Sequence, residues 1–300
     1  MSVPAAYIGV ILIWSTTPLA IQWSSLGAGY AFASFSRMLL GAALCLVLMR
    51  WRRLSLPWTR AAQHTYLAAG FGIYGALISS YWASQFVPSG WISVMFGLMP
   101  LFTGVLAYFW LHERSLSAAK IGGLLLGLAG LGMMFISGLH MSVQVAAGIG
   151  VLLVGVLIQA ASMVAIKRIA APISALAMTT GALLLTLPLF LGTWLWVDGN
   201  VPQHIDARAA WSIVYLGAFG SVLGFVLYFY VVQQMAAASA ALITLITPVF
   251  SLLLGRALNG EPLTVQLLMG TAAILGGLGL HQWGDAATRR IRAQLKGVVD

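Results

Sequence analysis

The 300 residues are 61% hydrophobic and 7% charged, against about 25% charged in an ordinary soluble domain, and the mean hydropathy is +0.96. That balance excludes a soluble globular enzyme or binding module, because no core of this size could hide so much apolar side chain from water. The formal charge of +9 would suit a nucleic-acid partner, but the charges sit in short clusters between apolar runs, which excludes that class as well.

Crossing a hydrocarbon layer takes about 20 apolar residues per helix. Ten such runs are predicted, near 4–23, 31–50, 64–85, 91–111, 118–137, 147–166, 173–197, 209–232, 239–257 and 264–284. The expected fold class is therefore an all-α integral membrane protein of ten transmembrane helices, with the lipid bilayer as its main partner. The first run lacks a basic leading segment and is too long for the apolar part of a cleaved signal, so it is expected to be kept as the first helix.

In the first run Trp14, Ser15, Thr16 and Thr17 precede Pro18. A proline in mid-span frees a backbone carbonyl that a cavity, water or a neighbouring hydroxyl must satisfy. Trp14 then serves as cavity wall or as packing, with Thr17 beside it. The second run holds Arg37, the one strong charge within a span. It either snorkels or pairs with a carbonyl of another helix, as a structural or gating residue, or it meets a substrate carboxylate. Cys45 is the single cysteine, so no intrachain disulfide is possible.

Tyr74, Ile78, Tyr81 and Gln85 of the third run recur at helical spacing and can share a face. Met95 and Met99 of the fourth run come just before Pro100, and Glu113 follows that run. The fifth run reads GGLLLGLAGLG from Gly122 to Gly132, a pattern that lets helix backbones approach closely. The sixth brings Gln159, Ser162 and Met163; the eighth brings Ser221, Phe225 and Tyr228; the ninth brings Thr244 and Thr247 just before Pro248. Glu261 follows the ninth run, and Gly270, Gly276, Gly277 and Gly279 mark the tenth as a second closely packed helix. Glu113 and Glu261 each precede a helix start, with Ser117 and Thr264 as N-caps. They are loop and capping groups, gating groups, or substrate contacts.

The chain is also a duplication. PLFTGVLAYFWLHE from Pro100 to Glu113 matches PVFSLLLGRALNGE from Pro248 to Glu261, and at equal offsets Gln85 matches Gln233, Phe71-Gly72 matches Phe219-Gly220, and Gly122 matches Gly270. The expected domains are a five-helix repeat over 1–140, a second over 145–285, and a basic tail over 286–300. Five is odd, so the second repeat enters from the opposite face and the repeats are inverted.

Arg50, Arg52, Arg53 and Arg60, then Arg114 and Lys120, then Lys167 and Arg168, and finally Arg289, Arg290, Arg292 and Lys296 all fall on one side of ten alternating helices; only Arg208 and Arg256 fall on the other. The positive-inside rule makes the first side, and both termini, cytoplasmic. Most tryptophans, Trp91 among them, lie near predicted helix ends, as a headgroup belt requires; Trp14 alone is mid-span.

Three stretches carry a resemblance that spans essentially the whole chain: LIWSTTPLAIQ around Trp14, FASFSRMLLGAAL around Arg37, and the doubled proline-to-glutamate repeat. Together they resemble the drug/metabolite transporter superfamily, specifically the EamA-type ten-helix permeases, and within it the aromatic amino acid exporters of bacterial inner membranes. The resemblance implies an inverted-repeat bundle with a central cavity lined by helices one, three, four, six, eight and nine, helices five and ten packing outside, and metabolite efflux. The chain departs from internal symmetry at Trp14, whose counterpart is Gln159, and at Arg37, whose counterpart falls near Thr179 or Thr180.

The function expected is export of small metabolites across the inner membrane, foremost amino acids with apolar or aromatic side chains, by alternating access. Other cargo such as nucleosides, sugars or drugs is the alternative, followed by a channel or an intramembrane enzyme. An enzyme would need a nucleophile and base, or clustered ligands, at one depth, and the sequence has no HExxH and no paired aspartates; no metal and no cofactor is expected. With no Asp or Glu in mid-span, facilitated and ion-coupled transport both stay open, as do monomer and dimer.

Overall fold

The structure, a computed structural model, describes residues 2–111, 117–136, 142–234 and 242–296, and among these every regular element is helical. Helices α1 (Val3–Ser25), α2 (Tyr30–Trp51) and α3 (Arg60–Ala83) are followed by α4 (Ser89–Phe96) and α5 (Met99–Leu111), then α6 (Ala118–Ile136), α7 (Val143–Ile169) and α8 (Ala175–Val197). Helix α9 (Ala207–Tyr215) runs through a π-helical segment, Leu216–Leu223, into α10 (Gly224–Gln234), and α11 (Leu242–Asn259) and α12 (Val265–Lys296) complete the order.

Six helical stretches are long and apolar enough to cross a membrane, and Ala118–Met133, Ile246–Asn259 and Val265–His281 are shorter apolar ones. Helix α3 falls outside both groups because of its glycines, serines and tyrosines. It packs on α7 and α8 and exposes only a stripe that includes Leu67 and Phe71, and a helix with most of its surface against protein need not be apolar all round for lipid.

The helix starts are built as the sequence suggests. Ser117 accepts the backbone N–H of Lys120 at 3.2 Å and Thr264 that of Leu267 at 3.1 Å, while Thr59, Ser142 and Ser174 accept in the same way ahead of α3, α7 and α8. Each such cap satisfies one of the donors a helix leaves open at its first turn.

Three features depart from uniform spans. The fourth run is broken at Gly97 and Leu98, since Pro100 has no N–H to offer the Phe96 carbonyl and so starts a new helix instead of continuing the old one. The eighth run carries the π-helical segment. The tenth continues as helix to Lys296, well past the expected end near 284.

Helices α6 and α12 pack tightly against each other. A Cβ placed on Gly123 would collide with the carbonyl oxygen of Gly277, and one on Gly130 would lie 2.6 Å from that of Gly270. Within lipid such close van der Waals approach replaces the hydrophobic drive of a soluble core. The other helices form the main bundle: α1 against α9, α10 and α11, α2 against α8 and the π segment, α4 against α11. Trp51, Trp58, Trp196 and Trp211 are exposed near helix ends, whereas Trp91 is fully buried at the start of α4 and therefore belongs to the bundle and not to the belt.

Candidate functional site

Helix α1 supplies one wall of a central cavity of about 110 Å³ through Trp14, Thr17, Pro18 and Ile21. Pro18 is buried inside the helix and cannot donate to the Trp14 carbonyl four residues back. The turn is held from outside: Ser251 of α11 donates to the carbonyl oxygen of Ser15 at 2.8 Å. Thr16 and Thr17 return their hydroxyls to Ile13 at 2.9 and 2.7 Å, and the Thr16 hydroxyl also meets that of Tyr215 at 2.5 Å. The turn around Pro18 is thus tied to α9 and α11, and its inner face turns to the cavity.

The break between α4 and α5 supplies a second wall, through Ile92, Ser93 and Phe96 before it and Met99 after it. Helix α3 contributes Ile73, Ala76, Leu77 and Ser80, and the remaining walls are Gln159 of α7, Gly220 of the π segment, Phe225 of α10, Thr247 of α11 and Arg37 of α2.

Arg37 is 1% exposed, so it does not snorkel to a headgroup, nor does it pair with an interhelical carbonyl. Its Nε donates to the Ser221 hydroxyl at 2.8 Å, its guanidinium carbon stands 6.0 Å from the Tyr81 ring centroid, and its Nη1 has no hydrogen-bond partner among the described residues. The π segment makes this possible. A Cβ on Gly220 would lie 3.0 Å from Nη2, and one on Gly41 would lie 3.0 Å from the Ser221 side chain, so the widened turn and two glycines create the room that a guanidinium between helices requires. Such π turns are frequent at functional sites.

Of the residues singled out in the sequence, the structure brings Trp14, Thr17, Pro18, Arg37, Met99, Gln159, Phe225 and Thr247 to the cavity. Tyr228 and Met163 stand one turn behind it: the Trp14 and Tyr228 rings lie 4.5 Å apart, and the Tyr228 hydroxyl donates to the Met163 sulfur at 3.3 Å. These three side chains form a contiguous layer between α1, α7 and α10. Met95 is wholly buried in packing, and Ser162 is buried against Gly72. Tyr74 turns away, its hydroxyl 2.6 Å from that of Thr193, and with Ile78 it lines a separate groove between α3 and α7. Gln85 stands exposed after α3, donating to the Trp82 carbonyl at 3.0 Å. The cavity therefore meets the face of α3 that carries Ile73, Ala76, Leu77 and Ser80, next to the aromatic stripe that the sequence makes conspicuous. Pro100 follows Met99 at the start of α5, Pro248 is buried in α11, the side chain of Thr244 and all of Glu113 lie outside the described residues.

Glu261 does more than precede a helix. It is 8% exposed, and its carboxylate accepts the backbone N–H of Ser89 at 3.0 Å and of Gly90 at 3.2 Å, so it closes the first turn of α4, where the helix dipole and open donors favour an anion. Asn259 joins the arrangement: its amide nitrogen reaches Glu261 at 3.2 Å and Gln22 at 2.9 Å, and its oxygen accepts from the Trp23 indole at 3.3 Å. The end of α1, the start of α4 and the end of α11 are thereby clasped together on one side of the cavity.

A central cavity walled by apolar helices from along the whole chain is the arrangement of a membrane transporter. The model of the EamA-like transporter family matches twice, over residues 3–136 and 146–281, and the chain belongs to that family. Among similar proteins are the uncharacterized transporter YoaV of Bacillus subtilis (strain 168), 28% identical over 90% of this chain and 93% of its own length, and a probable terminal-alkyne amino-acid exporter of Streptantibioticus cattleyicolor, 26% identical over 90% of each. The uncharacterized inner membrane transporter YedA of Escherichia coli (strain K12) is 27% identical over 86% of this chain and 83% of its own. A crystal structure shares the fold, with a TM-score of 0.67 at 20% identity over 94% of this chain and 97% of the other. The chain is a transporter, not an enzyme, and a multi-pass protein of the bacterial inner membrane.

Proposed function

We propose that the chain exports small metabolites, foremost amino acids with apolar or aromatic side chains, by alternating access of two inverted five-helix halves with both termini in the cytoplasm. The observation that carries the reading is the central cavity: Trp14, Ile21, Phe96 and Phe225 give it apolar walls, and Thr17, Ser80, Ser93, Gln159 and Thr247 give it a few placed polar groups. That combination is how sites for small amphipathic ligands are made. Its lining comes from both segments that the family model matches, 3–136 and 146–281. The relative described as an amino-acid exporter supports the cargo class.

The packing supports a two-fold pairing of the halves, and the odd number of helices in each half makes that pairing inverted. If the halves are exchanged, α3 maps onto the π-containing eighth span and α7 onto α1; accordingly α3 packs on α7 and the eighth span packs on α1. Likewise α3 packs on α8 and the eighth span packs on α2, while α6 and α12 pair with each other. At about 110 Å³ the cavity is smaller than the roughly 300 to 1,000 Å³ of small-ligand sites, so cargo enters only when the walls part. The Glu261 and Asn259 clasp closes the outer end in this topology, and the layer of Trp14, Tyr228 and Met163 closes the cytoplasmic end. Release of one closure while the other holds is alternating access.

Counterflow tests the proposal. Purified protein in liposomes, preloaded with each common amino acid or with nucleosides, should accumulate labelled apolar or aromatic amino acid down no net gradient, with saturation. Folded protein that exchanges nucleosides and no amino acid would transfer the transport reading to other cargo.

A further inference from the structure

The cavity contains a buried positive charge that the protein leaves unanswered. Arg37 is the one charged group among the described residues lining it, and it is 1% exposed. Among the described residues no carboxylate pairs with it; the recorded ion pair, His204 with Asp206, is elsewhere and exposed. Its neighbours are the Ser221 hydroxyl, which fixes Nε, and the Tyr81 ring. Nη1 is buried with no acceptor among the described residues. A guanidinium in low dielectric that lacks a counter-charge is expensive, and burial of an unmatched donor adds to that expense. Two glycines and a π turn are arranged to keep it there. A second lining residue, Gln159, buries its amide oxygen with no donor among the described residues.

We infer that Arg37 is the carboxylate-recognition subsite of the cavity, so that the cargo is an organic acid or zwitterion and cations are rejected. The inference rests on reading the cavity as the cargo site. With Nε engaged by Ser221, the two Nη groups remain as a fork suited to a carboxylate that enters when the walls part. The bound carboxylate supplies the missing counter-charge, while the apolar remainder of the cargo lies along Trp14 and Phe225. The Gln159 oxygen suits an ammonium or other donor on the same ligand. A cation such as a decarboxylated amine would bring a like charge to Arg37 with nothing to offset it.

The test uses the purified full-length protein in detergent and two matched probe sets at millimolar concentration. The first is L-phenylalanine, 3-phenylpropionate, phenethylamine and L-phenylalaninamide; the second is L-leucine, 4-methylvalerate and isoamylamine. Thermal unfolding midpoints should rise with carboxylate-bearing members of at least one set and stay fixed with the amines and the amide. Arg37→Gln should abolish the response. Arg37→Lys, which keeps the charge and loses the planar fork, should weaken apparent affinity about tenfold or more. If amines stabilise as well as acids, if no carboxylate probe shifts the folded wild type, or if Arg37→Gln responds normally, the subsite is wrong. Should Arg37→Gln not fold, the wild-type probe series and Arg37→Lys still decide. Acids without an amino group that bind through Arg37, together with no amino acid counterflow, would keep the subsite and remove amino acid export. Amino acids exchanged normally by Arg37→Gln liposomes would do the reverse.

Discussion

Trp14 touches both the cavity and Tyr228 behind it, and a substitution there separates the two duties. Its ring is half-buried, with one side on the cavity and the other 4.5 Å from Tyr228. Trp14→Ala should therefore remove a cargo contact worth about 1 to 3 kcal/mol, lowering apparent affinity in counterflow roughly tenfold or more. A fully packed tryptophan would instead cost the fold about 3 to 5 kcal/mol. Counterflow and melting temperature measured on one purified sample decide: normal affinity with a collapsed melting temperature would assign Trp14 to packing alone. At this scale the sequence revealed residue types better than directions. Trp14 and Arg37 were conspicuous as a mid-span indole and a mid-span charge. Ile73, Ala76, Leu77 and Ser80 were not, because nothing about a small or aliphatic side chain says which neighbour it will face.

Between single residues and the whole bundle lie the helix interruptions, and each has a different degree of sequence signal. Pro18 and Pro100 announce an open carbonyl and a restart through the missing N–H. The π segment has no such signature; its room for Arg37 is a tertiary matter of α2 meeting the eighth span, and the same Phe-Gly pair occurs as Phe71-Gly72 in α3, which is regular. Glu261 is intermediate, since a carboxylate after a span suggests a cap, but the helix it caps begins 172 residues earlier in the chain. Glu261→Ala should leave the Ser89 and Gly90 donors buried and open, destabilising by about 1 to 3 kcal/mol. It should also loosen the clasp on α1 and α4. In the proposed topology a cysteine at Thr17 then reacts faster with an impermeant reagent from outside in the Glu261→Ala background than in the parent. Unchanged labelling alongside a lowered melting temperature would make Glu261 a static cap and no closure.

At the scale of the whole molecule, hydropathy and the duplicated proline-to-glutamate segment made the helical class, the family and most span positions legible, because lipid imposes the same length and apolarity on every exposed span. Helix α3 was recovered by its length between polar loops despite its modest hydropathy. What hydropathy cannot supply is the relation between the halves, and a matched pair of loop positions tests it. Ser55, between α2 and α3, and Gln203, between α8 and α9, are both exposed and are separated by the same offset that relates Pro100 to Pro248. Inverted repeats put the two positions on opposite membrane faces, and parallel repeats put them on the same face. In the proposed topology the cluster of Arg50, Arg52, Arg53 and Arg60 around Ser55 puts it on the cytoplasmic side. In intact cells Gln203→Cys should therefore react with a membrane-impermeant maleimide and Ser55→Cys only after permeabilisation, with the native Cys45 silent because it is fully buried. Labelling of both from outside, or of neither, would overturn the inverted pairing, while labelling of Ser55→Cys alone would keep the inversion and reverse the orientation of the termini.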